Sequence, residues 1–266
     1  MTQIVTTGLG LANHDGAGLV DPGPVPATRA TRDVGTVLVT GAASGLGRAV
    51  AAAVTAAGGR TLLVDRVPVD RHDVDGGEPG SLAAVVDLGD TADAEDAIRA
   101  LIERAGGVDA VVTAAGTDRC GALGDVSAAE WEQVVRVNLF GTAAVIRAAL
   151  PALTESQGRI VTVASTLGLR ALPDATAYCA SKFGVVGLTR ALATELAGRV
   201  GVTLLVPGGM ATAFFDGRPD QYKPGPDAKL NDPANVADAV VFALTRPNGC
   251  ELREMVVCPS TEPSWP

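Results

Sequence analysis

The stretch TVLVTGAASGLG, residues 36–47, decides the fold of this chain. Its first five residues are apolar or β-branched and predict a buried strand. Glycines follow at once, and the alanine-rich stretch after Gly47 predicts a helix. Glycines between a strand and a helix let the chain turn sharply and bring backbone N–H groups against a pyrophosphate. The stretch therefore predicts a nucleotide-binding turn, with a simple tight turn as the alternative.

The same kind of pattern continues along the rest of the chain. From Thr36 onward, short β-branched runs alternate with alanine-rich amphipathic stretches. This alternation predicts an α/β fold with a doubly wound parallel sheet, covered by helices on both faces. A length of 266 residues suits a single domain. We assign that domain to residues 34–266, and we predict that residues 1–33, which lack periodicity, form a flexible N-terminal tail.

Composition narrows the possible partners and the location of the protein. The net charge is −9 and no basic cluster is present, which argues against nucleic acid as a partner. No segment approaches the roughly 18 uninterrupted apolar residues of a membrane helix, and the N-terminus lacks a signal-peptide pattern. We therefore expect a cytoplasmic protein that binds no membrane.

Cysteine and histidine are too few and too scattered for several kinds of chemistry. The cysteines show neither C-x-x-C spacing nor a nearby histidine, so we predict no metal site; they are Cys120, Cys179, Cys250 and Cys258. The two histidines, His14 and His72, lie in segments that we predict to be tail and loop. Their placement argues against a hydrolase with a histidine base.

Asp65 bears on the choice of nucleotide. It ends the next predicted strand, close to the distance from the glycines at which an acidic residue meets the adenosine ribose. A carboxylate there repels a 2′-phosphate and favours NAD over NADP, whereas the neighbouring Arg66 could bind that phosphate. An ordinary strand-end aspartate is the alternative. Other dinucleotide-binding proteins and methyltransferases remain open on this part of the sequence.

The segment YCASK, residues 178–182, places a tyrosine and a lysine on one helical face. A phenol with a pKa near 10 needs a shift of roughly 3 units, or about 4 kcal/mol, to exchange protons near neutrality. A nearby ammonium group such as that of Lys182 gives a shift of this sign. Ser165 ends the preceding strand, where its hydroxyl can bond a substrate oxygen. The alternative is a core tyrosine beside a lysine that reaches toward solvent.

From about Thr36 to Cys258 the chain resembles the short-chain dehydrogenase/reductase family in its compact form, a single Rossmann-fold domain. Several motifs in the family's order carry the resemblance: TGAASGLG at 40–47, VVDLGD at 85–90, TAAG at 113–116, NLFG at 138–141, Ser165, YCASK and PGGMAT at 207–212. Two segments depart from the family's form: TAAG, and the last predicted strand ELREMVVC, which lacks the glycine-rich ending common in the family. The family has asparagines where this chain has Thr113 and Ala114, which weakens an expected structural hydrogen bond.

The resemblance implies roles for individual residues. Tyr178 would be the catalytic acid/base, and Lys182 would lower its pKa and bind the nicotinamide ribose. Ser165 would position the substrate oxygen, and Asn138 would hold a water in the proton relay. The residues that would bind the cofactor are Gly41, Ser44, Gly45, Leu46, Gly47, Asp65, Asp87, Leu88, Ala115, Gly116, Tyr178, Lys182, Pro207, Gly208, Met210 and Thr212.

In that cofactor site, Asp87 and Leu88 would flank the adenine and Thr212 the carboxamide of the nicotinamide. The family arginine that often binds a 2′-phosphate lies within the glycine turn, where this chain has Ser44. The resemblance therefore implies NAD as the cofactor.

Aromatic residues are concentrated near the predicted site. Phe214, Phe215 and Tyr222 lie in a Gly- and Pro-rich stretch at about 213–231, in a chain with 3% aromatic residues. This stretch could be a lid over an apolar or cyclic substrate, or its aromatic rings could be buried in the core. An apolar wall would be completed by Leu167, Leu169 and Leu172.

These features lead to a functional hypothesis. We expect an NAD-dependent alcohol dehydrogenase or ketoreductase that moves a hydride between nicotinamide and a secondary alcohol or ketone. The alternative is a non-catalytic dinucleotide-binding regulator on the same fold. The apolar helices predicted at about 131–150 and 176–197 suggest a homodimer or homotetramer, as family relatives commonly form.

Overall fold

The computed structural model describes residues 31–77 and 80–265. Most of the predicted N-terminal tail, including His14, therefore lies outside the described residues. Within them, seven parallel strands form one sheet in the order β3-β2-β1-β4-β5-β6-β7. The strands are β1 Thr36–Thr40, β2 Arg60–Asp65, β3 Leu82–Val85, β4 Ala110–Thr113, β5 Arg159–Val163, β6 Gly201–Pro207 and β7 Glu254–Val257.

Helices connect the strands and lie on both faces of the sheet. They are α1 Gly45–Ala56, α2 Arg71–Asp75, α3 Thr91–Ala105, α4 Ala128–Val135, α5 Thr142–Glu155, α6 Thr176–Glu195 and α7 Pro233–Leu244. Local sequence sets the start of α4, because Ser127 and Glu130 form a reciprocal capping box there. The short helix α2 was not predicted, and it contains the exposed His72 that we had placed in a loop.

The sheet separates two apolar layers. Leu38 of β1 packs into a layer with residues of α3 and α5, whereas Val37 and Val39 pack into the opposite layer with α1 and α7. This alternation follows from the period of two along a strand. Both faces of the sheet are therefore covered, which confirms the doubly wound arrangement and the Rossmann fold.

The predicted helix at 131–150 is interrupted by a π-helical turn, Arg136–Gly141, between α4 and α5. Taken together, Ala128–Glu155 is the one helical stretch in the described part of the chain that is long and apolar enough to cross a membrane. Half of its most apolar 18-residue segment is buried inside the protein. This burial is what a core helix on the face of a sheet requires.

The strand order reverses at β1, which pairs with β2 on one side and β4 on the other. Chain connections leave these neighbouring strands in opposite directions, which opens a crevice at their carboxyl ends. The glycine turn follows β1, and TAAG continues from β4, so both predicted motifs lie at this crevice.

Candidate active site

A cleft of about 1040 Å³ lies at the carboxyl edge of the sheet. All sixteen predicted cofactor-binding residues line it, and Ser165 does as well. Asn138 does not line the cleft and lies behind it, almost fully buried. The fold thus brings together residues that are spread over most of the sequence.

The glycine turn has the backbone shape that close approach to a ligand requires. Gly41 and Gly45 have φ angles of +71° and +52°. Residues that carry a Cβ rarely adopt such positive φ angles. A Cβ at Gly41 would lie 2.9 Å from the backbone of Ala115, and one at Gly47 would overlap the carbonyl oxygen of Gly41. These glycines are therefore needed to keep the turn tight against β4.

The N-terminus of α1 opens into the same cleft. Its N-cap residue, Ser44, forms no side-chain capping bond, and the first turn of the helix has no acidic residue. No acidic residue of the helix itself therefore neutralises the positive end of its dipole, which suits a bound pyrophosphate. On this geometry, the residues present fit a dinucleotide.

Asp65 lies at the end of β2 and holds the glycine turn in place. Its Oδ2 accepts a hydrogen bond from the Ala43 N–H at 3.0 Å, and its Oδ1 accepts one from the Val67 N–H at 3.3 Å. Carboxylate oxygens have further acceptor capacity for ribose hydroxyls. The neighbouring Arg66 is exposed and also lines the cleft.

Tyr178 lies in the first turn of α6 and borders the cleft. The chain enters this helix through Asp174, which has a φ of +59° and whose carbonyl oxygen accepts a hydrogen bond from the Gly121 N–H at 2.8 Å. Burial raises the pKa of Tyr178 above its ordinary value, and the nearby Ser165 hydroxyl lowers it by less. In the cofactor-free protein Tyr178 is therefore a neutral phenol, and the lowering expected from Lys182 is not among the effects that set its pKa.

Lys182 lies one turn further along α6 and is almost completely buried. Its Nζ donates a hydrogen bond to the Val163 carbonyl oxygen at 2.8 Å and lies 5.6 Å from the centroid of the Tyr178 ring. Burial lowers the pKa of Lys182 to about 8. The ammonium group is thus fixed below the tyrosine with much of its hydration removed.

Asn138 lies in the π-helical turn and joins two parts of the site. Its Nδ2 donates to the Thr117 carbonyl oxygen at 2.9 Å and to Ser181 Oγ at 3.0 Å. Its Oδ1 accepts from the Thr117 N–H at 2.8 Å. These bonds fix the chain after β4 against α6, and π-helical turns are frequent at functional sites.

The TAAG segment shows the consequence of its departure from the family motif. The hydroxyl of Thr113 is buried without a hydrogen-bond partner among the described residues. The Ala115 N–H instead donates to Thr40 Oγ1 at 3.1 Å. One buried polar group is therefore left unsatisfied where the family has an asparagine.

The stretch at 213–231 forms a wall of the cleft. It contains two 3₁₀ turns, Ala213–Phe215 and Asp220–Tyr222, and all three of its aromatic rings line the cleft. The Phe214 ring lies 5.7 Å from the Tyr178 ring. Leu167 and Leu172 also line the cleft. The expectation for Leu169 was wrong, because this residue packs on a buried cluster beneath the site.

Sequence reasoning missed an ion pair in this wall. Arg218 Nη2 lies 2.7 Å from Asp118 Oδ2, and both side chains are mostly buried. The guanidinium also lies 4.8 Å and 4.7 Å from the centroids of the Phe214 and Phe215 rings. The Cys120 thiol donates to Asp118, and burial beside that carboxylate raises the pKa of Cys120 to about 11.

The C-terminal residues were also missed as part of the site. Thr261, Glu262, Pro263 and Ser264 all line the cleft. Nothing in the local pattern of PSTEPSWP indicates this position, because the contacts join residues far apart in the sequence. The one available signal in the sequence was Glu262, an acidic residue among small residues and prolines.

Comparison with known proteins agrees with this geometry. The family model described as short chain dehydrogenase matches residues 35–223. The (2S)-[(R)-hydroxy(phenyl)methyl]succinyl-CoA dehydrogenase subunit BbsD of Thauera aromatica is 34% identical over 226 residues, covering 80% of this chain and 90% of that protein.

Solved structures agree as well. An alcohol dehydrogenase from the archaeon Thermococcus sibiricus, complexed with 5-hydroxy-NADP, is similar at a TM-score of 0.73 and 27% identity, over 84% of this chain and 95% of that one. A short chain dehydrogenase from Mycobacterium paratuberculosis bound to NAD shares the fold at a TM-score of 0.72 and 24% identity, over 85% and 96%. The chain therefore belongs to the short-chain dehydrogenase/reductase family, whose oxidoreductases bind a nicotinamide dinucleotide.

Proposed function

We propose that this protein interconverts a secondary alcohol and a ketone with NAD(H), and that Tyr178 transfers the proton. One observation carries the proposal: Tyr178 and Ser165 line the same cleft, and Tyr178 lies one helical turn from the buried Lys182. A bound nicotinamide would supply the hydride chemistry of this reaction. The protein residues bind and orient both reactants and handle the proton.

The state of Tyr178 supports the proton-transfer role. Because burial raises its pKa, the phenol keeps its proton at neutral pH and can donate it to a ketone oxygen. Ser165 can donate a second hydrogen bond to the same oxygen. Alcohol oxidation needs the reverse transfer, and the positive charges of Lys182 and of the oxidised nicotinamide favour the phenolate that this direction uses.

The shape of the wall supports an apolar or cyclic substrate. Phe214 faces Tyr178, and Leu167 and Leu172 add aliphatic surface nearby. Arg218 and Asp118 neutralise each other in this wall, so the pair favours no charged substrate by itself. The relative from Thauera aromatica is named for a substrate with a hydroxy(phenyl)methyl group, which supports an aryl or cyclic carbinol here.

A substrate panel tests the proposal. Purified protein is assayed with aryl ketones, cyclic ketones and small aliphatic ketones while NADH absorbance is followed. We expect turnover, with kcat/KM at least about tenfold higher for the aryl or cyclic compounds than for the smallest ones. Tight NADH binding without turnover on any member would favour the non-catalytic regulator instead.

A first prediction concerns the choice between NAD and NADP. The Asp65 carboxylate and Ser44 in the glycine turn support a preference for NADH, whereas the exposed Arg66 opposes it. We expect NADH to bind about tenfold or more tightly than NADPH in fluorescence titrations. Asp65→Ala should narrow this ratio because it removes the repulsive charge.

The matched variants separate charge from structure. Asp65→Asn can still accept the Ala43 N–H bond and should also narrow the ratio, whereas Asp238→Ala, on the exposed side of α7, should leave it unchanged. Tighter NADPH than NADH binding by the wild type would mean that Arg66 outweighs Asp65.

A second prediction concerns self-association through the apolar helices. Phe140 and Phe183 are 50% and 45% exposed, and they lie on adjacent elements, since Leu139 packs against Gly184. We expect a dimeric or tetrameric mass by light scattering at micromolar concentration, with an isologous interface. The double variant Phe140→Asp/Phe183→Asp should lower that mass.

Phe242→Asp provides the control, because Phe242 is 51% exposed but lies on α7. If the interface is formed by the elements that carry Phe140 and Phe183, Phe242→Asp should leave the mass measured by light scattering unchanged. A monomeric wild type, or an unchanged mass in the double variant, contradicts the prediction.

A further inference from the structure

Glu262 connects the C-terminal segment to the loop that follows β6. Its Oε2 accepts a hydrogen bond from the Gly209 N–H at 2.8 Å. The same carboxylate packs so closely on Gly208 that a Cβ at that position would overlap it. The two glycines of PGGMAT are therefore shaped around this side chain.

The other oxygen of Glu262 leads to the loop that carries Ser165. Oε1 accepts from the Ser264 N–H at 3.1 Å, and it is hydrogen-bonded to Ser264 Oγ at 2.6 Å. Ser264 Oγ is in turn hydrogen-bonded to Thr166 Oγ1 at 2.7 Å. Thr166 is the residue directly after Ser165, so an unbroken chain of bonds links Gly209 to the neighbour of Ser165.

A second contact fixes the segment to the same loop. Arg170 Nη1 donates a hydrogen bond to the Pro263 carbonyl oxygen at 3.3 Å, and Ser264 is buried. The segment therefore lies against the cleft and is held from both sides.

The electrostatics of Glu262 agree with this role. Burial opposes its ionisation, but hydrogen bonds from Ser264 and Gly209 outweigh burial and hold the pKa of Glu262 below its usual range. The carboxylate is therefore charged at neutral pH, when a charged acceptor forms stronger hydrogen bonds than a neutral one.

We propose that Glu262 is a positioning residue of the active site, which fixes the loop at 207–212 relative to the loop that begins at Ser165. The inference rests on the proposed function, in which the first loop contacts the nicotinamide and the second contacts the substrate oxygen. Glu262 acts through these loops and does not itself take part in the chemical step.

Hydrogen exchange of the cofactor-free protein tests the link without any assay of activity. In Glu262→Ala, deuterium uptake should rise in peptides that cover both 207–212 and 165–170, because both anchors are lost. In Ser264→Ala, uptake should rise mainly in 165–170, because the bond from Gly209 to Glu262 remains. Glu103→Gln, an exposed carboxylate of α3, should change neither region.

NADH titration provides the second measurement. Glu262→Ala should raise the NADH dissociation constant about tenfold, and Ser264→Ala should keep it within about twofold. Glu262→Gln has one side-chain oxygen and can therefore accept hydrogen bonds on only one of its two sides. Its NADH dissociation constant should lie between those of Ser264→Ala and Glu262→Ala.

The outcomes distinguish the two proposals. A wild type that binds neither NADH nor NADPH overturns the proposed function, whereas the exchange experiment still judges Glu262. Unchanged exchange and unchanged NADH affinity in Glu262→Ala overturn the positioning role. If Glu262→Ala fails to fold, as judged by its thermal transition, Ser264→Ala decides: normal melting with unchanged exchange at 165–170 overturns the link.

Discussion

Tyr178→Phe is expected to bind NADH like the wild type and to lose turnover by about three orders of magnitude. The variant keeps the aromatic ring and its packing against Phe214, and it removes only the hydroxyl that is proposed to transfer the proton. The loss falls on the proton-transfer step and corresponds to about 4 kcal/mol of barrier. Steady-state kinetics on the best substrate of the panel, with NADH titration beside it, measure both quantities.

The chain provides a matched control for this variant. Tyr222 is the other of its two tyrosines, it lines the same cleft, and its hydroxyl donates to Asp174 at 3.3 Å. Tyr222→Phe should therefore keep kcat within about threefold of the wild type. Turnover by Tyr178→Phe within about tenfold of the wild type, a change of only about 1.4 kcal/mol, would show that the mechanism is wrong.

Local sequence patterns were sufficient for the fold and for much of the cleft. The strand, glycine turn and helix around Gly41 are specified by neighbouring residues, since β-branched runs, positive φ angles and alanine-rich stretches act over a few positions. Asp65 ends β2, and Ser165, predicted to end its strand, lies two residues beyond β5, so the parallel sheet places both at one edge. Their positions in the cleft follow from the strand order alone.

Long-range pairs were not predictable in this way. Asp118 and Arg218 are separated by 100 residues, and neither lies in a periodic pattern. Glu262 reaches Gly209 across 53 residues, through a segment with no regular structure. The position of Leu169 was predicted wrongly because it ends a short 3₁₀ turn, Thr166–Gly168, that contains the cleft-lining Leu167. Such contacts depend on how complete elements pack, which single-sequence patterns do not contain.

The π-helical turn is an intermediate case. The segment at 131–150 has the composition of one apolar helix, and only the extra residue at Arg136–Gly141 interrupts it. The interruption lets Asn138 bond both Thr117 and Ser181. Side-chain hydrogen bonds of this kind compensate for the less favourable backbone, and helical propensity gives no sign of them.

Lys182→Met is expected to separate stability from function. Methionine has a similar length and no charge, so the variant should lose most NADH affinity and most turnover, because the ammonium is proposed to serve both Tyr178 and the ribose. At the same time its melting temperature near neutral pH should rise by several degrees. Burial disfavours the charged form of Lys182 in the folded protein and lowers its pKa to about 8. Removing this charge should therefore raise the stability of the folded state.

The pH dependence gives this prediction its sign. Below about pH 8 the lysine is charged in both the folded and the unfolded chain, so the wild type bears the full burial cost, on the order of 3 kcal/mol. Between about pH 8 and the unfolded pKa near 10.4, the folded protein loses the proton first and the wild type gains stability. The advantage of Lys182→Met should therefore be largest near neutrality and shrink toward about pH 10. Thermal unfolding near neutral pH and near about pH 10 measures the difference in stability between Lys182→Met and the wild type. Lys229→Met is the control, because Lys229 is an exposed lysine at the cleft. A constant difference across this pH range, or a destabilised variant at neutral pH, would mean that Lys182 is not held as a desolvated charge.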